Sequence, residues 1–200
     1  MSKSAEKRND ILLAATDEFQ DHGFDGARMD RVAERAGVSK RTVYNHFESK
    51  EGLFAAIAER AYGMAAELHQ VLYDPQRGLR AQLIEIAQAE GRLLQSEDFM
   101  RMARMGTGEL MRNPGLAERL GLQSPLEDSY LRFFRAAAEA GRIRPDAPDL
   151  AATQFIGMIK SQAYWPALFS GEIVGRNEMD GIIETSVATI MSAFATPGTT

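Results

Sequence analysis

The spacing of apolar residues predicts a chain that is helical almost throughout. Between Asn9 and Gln20, apolar side chains recur every three or four positions, and His22-Gly23 follows as a helix end because glycine readily adopts a left-handed conformation. No alternation of apolar and polar residues extends over the length of a strand. The pattern therefore predicts an all-α fold of nine to ten helices.

Two short helices, about 29–36 and 40–46, are predicted near the N-terminus. Gly37 allows a tight turn between them, Ala33 is small where the helices would cross, and Ser39 is a favourable N-cap for the second helix. Val32 and Val43 belong to their shared apolar core. These features are typical of a helix-turn-helix, whose second helix presents its N-terminal residues to the major groove of DNA.

Longer helices fill the rest of the chain. One extends from residue 50 to about residue 73, and Ser124-Pro125 and Pro148 mark the starts of later helices. Pro166 should kink or break the helix from Pro148 near Trp165, and the last helix covers about 178–194. We therefore predict a helix-turn-helix domain over residues 1–50 and a second helical domain over residues 51–200.

Composition narrows the class of protein. Apolar residues make up 44% of the chain, and the absence of cysteine excludes disulfides, thiolate zinc sites and cysteine nucleophiles. The three histidines are too scattered to indicate a metal centre, and we expect no cofactor. The N-terminus lacks the apolar segment of a signal peptide, and Lys160, Pro166 and Glu172 interrupt the longest apolar stretch. The sequence therefore predicts a soluble, cytoplasmic protein that does not enter membranes.

Charge is distributed unevenly along the chain. The whole chain carries a net charge of −5, whereas residues 28–50 hold six lysines and arginines against three acids, so this window is +3 and the remainder is −8. A basic patch on an acidic body indicates a local contact with nucleic acid. The second helix of the motif adds a set of cationic and hydrogen-bonding side chains: Lys40, Arg41, Thr42, Tyr44 and Asn45.

A known family shares this arrangement. The matching positions are the run AGVS and, at fixed offsets after it, Thr42, Tyr44, Phe47, Lys50 and Leu53. With them, residues 11–57 resemble the DNA-binding domain of the tetracycline-repressor (TetR) family. Residues from about 99 to 171 resemble the ligand-binding and dimerisation domain of regulators of the AefR type.

The resemblance implies a role for individual residues. It implies that base edges are read by Lys40, Arg41, Thr42 and Asn45, and that the phosphate backbone is held by Tyr44, His46 and Lys50. Arg28 stands where the family commonly has Ser or Thr, so the second helix loses a capping side chain and gains a cation where DNA could be contacted. Together with the capping residue Ser39, these side chains form the predicted DNA-binding set.

The resemblance also implies a homodimeric transcriptional regulator, most simply a repressor that a small-molecule effector releases from a near-palindromic operator. Two alternatives stay open at this point. One is a DNA-binding regulator without an effector, and the other is a helical carrier or enzyme whose first helices only resemble a DNA-binding unit. The sequence contains no phosphate-binding glycine loop, dinucleotide fingerprint or H-E-x-x-H motif, so we expect no enzymatic activity.

An effector pocket is expected beside the helix that follows residue 50. Methionines and aromatic residues would supply an apolar lining for a neutral or weakly charged, largely hydrophobic compound. Glu90 and Gln162 lie on otherwise apolar faces, where each is either paired at the edge of the core or an anchor for the ligand. The predicted lining residues are Tyr62, Ala66, Ile86, Glu90, Met102, Met105, Tyr130, Phe134, Phe155, Met158, Gln162 and Trp165.

The last helices predict the assembly. Residues 148–169 and 178–194 carry more apolar surface than one side of a monomer is expected to bury. A wide apolar arc of this kind favours a two-fold bundle in which the same patch of two copies meets. We therefore expect a homodimer.

Overall fold

The computed structural model describes residues 3–68, 72–119 and 126–199. Within them the only strand-like pairing is an isolated antiparallel bridge between Ile143 and Ala195, so the predicted all-α class is confirmed. None of the described helices combines the length and the apolar character needed to cross a membrane. The helices are α1 (Lys3–Gly26), α2 (Met29–Arg35), α3 (Lys40–His46), α4 (Lys50–Leu68), α5 (Leu79–Leu94), α6 (Glu97–Arg112), α7 (Leu116–Arg119), α8 (Leu126–Glu139), α9 (Pro148–Gln162), α10 (Tyr164–Ser170) and α11 (Arg176–Phe194).

The described residues contain eleven helical segments because the predicted helix from Pro148 divides in two. The break lies at Ala163, slightly before the predicted position. Proline has no N–H, and in an unbroken helix Pro166 would leave the carbonyl of Gln162 without its bond and clash with it. The break at Ala163 places Pro166 in the first turn of α10, where no intrahelical N–H bond is required.

Two other predicted boundaries are refined. α4 is described to Leu68, and residues 72–74 are not helical, so the helix is shorter than the predicted 50–73. The predicted start at Ser124-Pro125 lies outside the described residues, and α8 is described from Leu126. Gly23 interrupts α1 with φ +68°, as expected from its predicted role at a helix end.

Contacts divide the chain into two compact units, of which the first comprises residues 1–63 and 98–123. It contains the helix-turn-helix together with most of α4 and nearly all of α6. Within it, α2 packs against both α1 and α3. The rings of Phe19, Phe24 and Phe54 form an aromatic core with centroids 5.4–5.8 Å apart.

The second unit comprises residues 64–97 and 124–200. Its helices α5, α8, α10 and α11 all pack against α9. Four rings, those of Tyr73, Phe133, Phe134 and Phe155, continue through its core with successive centroids 5.5–5.7 Å apart. This unit is therefore organised around α9.

The single chain buries most of the apolar surface of its last helix. Helix α11 packs against α5 and α9, so the apolar excess expected there is accommodated within the second unit. Large apolar side chains remain exposed on α9 and α10, where Phe169 is 79% exposed. The buried residues of α11 are Met179, Ile182, Ile183, Ser186, Val187, Ile190 and Phe194.

Candidate DNA-binding surface

The turn between α2 and α3 has the geometry that the sequence predicts. Gly37 has φ +64°, a conformation that costs a residue with a Cβ about 1 kcal/mol or more. The N–H of Val38 donates to the carbonyl of Ala33 at 3.0 Å, closing the turn. Ser39 caps α3, since its Oγ accepts the N–H of Thr42 at 3.1 Å. The helix-turn-helix is confirmed.

Helix α3 buries Val43, and its other side chains are exposed or half-buried. Successive residues of an α-helix are rotated by about 100°, so Arg41 and Asn45 both lie about 160° from Val43, on the opposite face. Both side chains are exposed. Thr42 and Tyr44 flank this face on its two sides, and Tyr44 is 43% exposed. The outward face of α3 is thus centred on Arg41 and Asn45.

Thr42 is engaged at the start of α3. Its hydroxyl shares a hydrogen bond with Ser39 Oγ at 2.8 Å, and its N–H is the group that Ser39 caps. The two predicted DNA-binding residues therefore also fix the end of the helix that carries Arg41.

Lys40 is paired within the chain. Its ammonium lies 2.7 Å from a carboxylate oxygen of Asp30 in α2, and 5.9 Å from the ring centroid of Tyr44. The hydrogen bond to Lys40 holds the pKa of Asp30 below its ordinary value, and the same contact raises the pKa of Lys40. Both groups are therefore charged at neutral pH, and DNA would compete with Asp30 for the ammonium.

Lys50 is directed towards backbone carbonyls. Its Nζ donates to the carbonyl of Asp25 at 3.0 Å and to that of Ala27 at 3.5 Å, and it lies 4.8 Å from the centroid of the Phe24 ring. In this arrangement Lys50 connects the start of α4 to the turn after α1. The predicted phosphate contact would have to be made from this position.

A cation that the sequence analysis missed, Arg8 of α1, lies near the end of α3. His46 is partly exposed in the last turn of α3, next to Phe47. The guanidinium of the exposed residue Arg8 in α1 lies 5.0 Å from the ring centroid of Phe47. The basic pair Lys7-Arg8 was the available signal, but only the fold brings it beside α3.

A buried carboxylate from α1 lies at the start of α2. Arg28 occupies the N-cap position without a capping side chain, as predicted, and its N–H donates to Glu18 at 3.2 Å. The Glu18 side chain is fully buried and also pairs with Arg31 at 3.5 Å and Arg35 at 3.4 Å. Sequence reasoning missed Glu18 because it lies on α1, ten residues before Arg28.

These contacts show which cations of the basic patch, residues 28–50, already have partners within the chain. Arg31, Arg35 and Lys40 have carboxylate partners. Within the described part of the chain, Arg28 and Arg41 are exposed and form no ion pair. These two arginines are therefore the patch cations most available to an external anion.

The residues predicted to line a pocket are distributed over both units. Within the second unit, Glu90 and Tyr130 form a buried pair in which the tyrosine hydroxyl donates to the carboxylate at 2.8 Å. Gln162 and Trp165 are exposed, and the Gln162 amide donates to the carbonyl of Met158 at 3.1 Å. Also in the second unit, Ile86, Phe134 and Phe155 are buried and Met158 is half-buried; in the first unit, Met102 and Met105 are buried and Tyr62 is half-buried.

Two further observations complete the survey of candidate sites. The side chain of Ala66 lies outside the described part of the structure, so its predicted place in a pocket stays a prediction. Among the described residues, no group of three or more His, Cys, Asp or Glu side chains could hold a metal ion.

Helices α2 and α3 are joined by a turn at Gly37, and α3 has Arg41 and Asn45 on its outward face. This arrangement defines the chain as a helix-turn-helix DNA-binding protein. Comparison with known families gives the particular family. Residues 11–57 match the bacterial regulatory proteins of the tetR family, and residues 81–196 match the C-terminal domain of AefR-like transcriptional repressors. The chain belongs to the TetR family of transcriptional regulators, with an AefR-like C-terminal domain, and is not an enzyme.

Characterised relatives include both a repressor and an activator. The chain is 29% identical over 143 residues to the transcriptional repressor AcnR of Corynebacterium diphtheriae, covering 71% of this chain and 70% of AcnR. It is 47% identical over 55 residues to the transcriptional activator FasR of Mycolicibacterium smegmatis, but this match spans only 28% of the chain and 25% of FasR.

Solved structures show the same fold over nearly the whole chain. A TetR family regulator from Pseudomonas syringae pv. tomato superposes with a TM-score of 0.79 at 38% identity, covering 96% of this chain and 98% of that one. The flavonoid-responsive regulator FrrA superposes with a TM-score of 0.66 at 26% identity, covering 97% of this chain and all of FrrA.

Proposed function

We propose that this regulator is a homodimeric repressor that a small, largely hydrophobic effector releases from a near-palindromic operator. The observation that carries the DNA-binding part is the outward face of α3, where Arg41 and Asn45 lie opposite the buried Val43. In this proposal residues 1–50 bind DNA in the cytoplasm, and residues 51–200 dimerise and bind the effector. Repression is favoured because the AcnR match covers most of the chain, whereas the FasR match is confined to about a quarter of it.

The proposed division of labour follows the geometry of α3. Arginine can bind guanine through two hydrogen bonds and asparagine can do so with adenine, so Arg41 and Asn45 are assigned to base edges. Thr42 flanks them, and Lys40 would reach a base edge only after leaving Asp30. Phosphate contacts are assigned to the remaining predicted residues at the margins of this surface: Arg28, Tyr44, His46 and Lys50.

Two observations support a hydrophobic effector. The second unit buries several of the predicted pocket residues around the Glu90–Tyr130 hydrogen bond, which offers one polar feature in an apolar setting. FrrA, whose name describes it as flavonoid-responsive, has the same fold. An effector releases the repressor only if it binds the DNA-incompetent arrangement more tightly than the DNA-bound one.

The DNA-binding part is tested by a mobility-shift assay at modest salt, with the DNA that flanks the chain's own coding region. We expect Arg41→Ala to weaken binding by about 1–3 kcal/mol and to relax the preference at one base position. Arg132→Ala, which removes an exposed arginine from α8, serves as the matched control and should bind like the wild type. Equal binding by Arg41→Ala and the wild type at every operator variant would contradict the proposed role of Arg41.

The effector part is tested on the same complex. Neutral aromatic compounds, flavonoids among them, are added in increasing concentration, and release of the DNA is measured. We expect at least one compound to release the wild type, and Tyr130→Phe to shift the half-maximal concentration without changing DNA affinity in its absence. If no compound releases the protein, the regulator without an effector becomes the better reading.

A further inference from the structure

The end of α1, which follows the interruption at Gly23, is held by a side chain from a distant part of the sequence. Glu109 of α6 is only 5% exposed, and its Oε2 accepts the N–H of Phe24 at 3.0 Å. The same oxygen accepts a hydrogen bond from Arg112 at 2.9 Å. Glu109 and Phe24 both belong to the first unit, together with the helix-turn-helix.

Phe24 needs this acceptor because α1 is interrupted immediately before it. Gly23 has φ +68° and ψ 173°, so the helical hydrogen bonding does not continue regularly through this position. A buried N–H without an acceptor is unfavourable, and Phe24 is buried among the rings of Phe19 and Phe54. The carboxylate of Glu109 satisfies this group, and a Cβ added at Gly23 would lie 3.5 Å from the same Oε2.

The position of the helix-turn-helix depends on this turn. The N–H of Ala27 donates to the carbonyl of Gly23 at 3.1 Å, and α2 begins only two residues later, at Met29. Because α2 packs against both α1 and α3, a shift of Phe24 would change where α3 lies relative to α1. The Glu109–Phe24 contact therefore acts upstream of the surface that reads DNA.

Two other polar contacts of α6 in this unit are more exposed than that of Glu109. Arg101 lies 3.5 Å from Asp17 of α1, and Asp98 lies 3.7 Å from Arg60 of α4. Exposed pairs at these distances contribute little, whereas a buried acceptor is costly to remove. Glu109 is thus better suited than Arg101 or Asp98 to fix the turn.

We propose that Glu109 is a positioning residue for operator recognition. It touches no DNA and acts through the N–H of Phe24, which fixes the turn from which α2 and α3 start. Sequence-specific binding consequently depends on α6, a helix that lies outside the helix-turn-helix. The surface charges that attract DNA of any sequence do not depend on α6. The inference goes beyond the proposed repressor function and does not require an effector.

The test uses the full-length protein and two DNA probes. One is a duplex selected from a random library by the wild type, and the other is a scrambled duplex of equal length and composition. We expect Glu109→Leu to weaken binding to the selected duplex about tenfold, with little change for the scrambled one. Glu109→Gln should bind the selected duplex like the wild type, because its amide oxygen accepts the same N–H. Arg101→Gln, which breaks an exposed contact of the same helix, is the matched control.

A second variant keeps the test decisive if Glu109→Leu does not fold. Glu109→Asp retains the carboxylate but is one methylene too short to reach Phe24 in its present position, so it should also lose binding to the selected duplex. The proposal is overturned if a folded Leu or Asp variant keeps its affinity for the selected duplex. It is also overturned if both duplexes are weakened equally, or if Glu109→Gln binds as poorly as Glu109→Leu.

Discussion

At the scale of single residues, the ion pair between Asp30 and Lys40 limits the positive charge that α3 offers to DNA. The carboxylate and the ammonium are 2.7 Å apart and both side chains are largely exposed. Because the pKa of Asp30 is lowered by this contact, its carboxylate remains ionised at neutral pH. DNA must therefore compete with Asp30 for Lys40.

We expect Asp30→Asn to tighten binding to DNA of any sequence, because it removes a carboxylate that competes with DNA for Lys40. One additional unpaired cation close to the DNA should release about one more counterion and so steepen the dependence of log affinity on log salt by about one unit. The measurement is a series of binding isotherms for the scrambled duplex at increasing salt, with wild type and variant side by side.

The control for this prediction is the same substitution in a Lys40→Met background. If Asp30 acts by occupying Lys40, most of the gain should disappear there. A gain of equal size without Lys40 would mean that Asp30 simply repels DNA, and competition for the ammonium would be the wrong explanation.

At the scale of elements, Lys50 joins two parts of the first unit that are separated along the chain. Its ammonium binds the carbonyls of Asp25 and Ala27 from the start of α4. We expect Lys50→Met to lower the free energy of unfolding by about 1–2 kcal/mol, since these carbonyls lose a charged donor. Urea unfolding measures the change, and Lys40→Met, whose partner Asp30 is a surface carboxylate, should alter stability by less than about 0.5 kcal/mol.

The same variant tests the proposed phosphate contact of Lys50. A loss of about one unit in the salt slope would show that Lys50 also holds a phosphate. An unchanged slope combined with lower stability would leave it with the intramolecular role alone.

The helices themselves could be predicted well where the signals are local. Ser39 caps α3 and Gly37 takes a positive φ as expected, because both effects act within a few residues. The break at Ala163 was displaced because Pro166 can be accommodated within a first turn, so the interruption moves ahead of the proline. The sequence pattern therefore predicts the existence of a helix break more reliably than its position.

At the scale of the whole molecule, two neighbouring helices of the second unit expose small side chains. Helices α9 and α11 pack together, and each has small residues on its exposed face. Exposed apolar residues, Trp165 and Phe169, lie on α10 beyond the end of α9. These surfaces support the proposed two-fold bundle. The small exposed residues are Thr153, Gly157 and Ser161 on α9 and Thr185, Ala188 and Ser192 on α11.

We expect the wild type to sediment as a dimer at micromolar concentration and Ala188→Glu to sediment as a monomer. A carboxylate at that position would place two like charges at the centre of a two-fold contact, where they repel and lose water. Ala140→Glu, on an exposed residue just after α8, is the control and should remain dimeric. A monomeric wild type would contradict the proposed assembly.

Most of the contacts that surround the candidate DNA-binding surface could not be predicted from the sequence. Arg41 and Asn45 could be singled out from the motif and lie on the outward face of α3. Glu18 and Glu109 could not, because they reach the motif from 10 and 85 residues away along the chain. The sequence of a predicted helix does not indicate which distant groups its polar residues will contact.

The all-α class and the helix-turn-helix could be predicted from the sequence alone, because caps, glycine turns and helical periodicity are set by residues close together in the chain. The family was indicated by the resemblance of residues 11–57 to the TetR DNA-binding domain. Which charges remain available depends on the tertiary structure. It pairs Lys40 with Asp30, covers Glu18 and Glu109, and buries the apolar face of α11 against α5 and α9. Burial and pairing depend on which side chains folding brings together, and that information is not contained in the local pattern of any one helix.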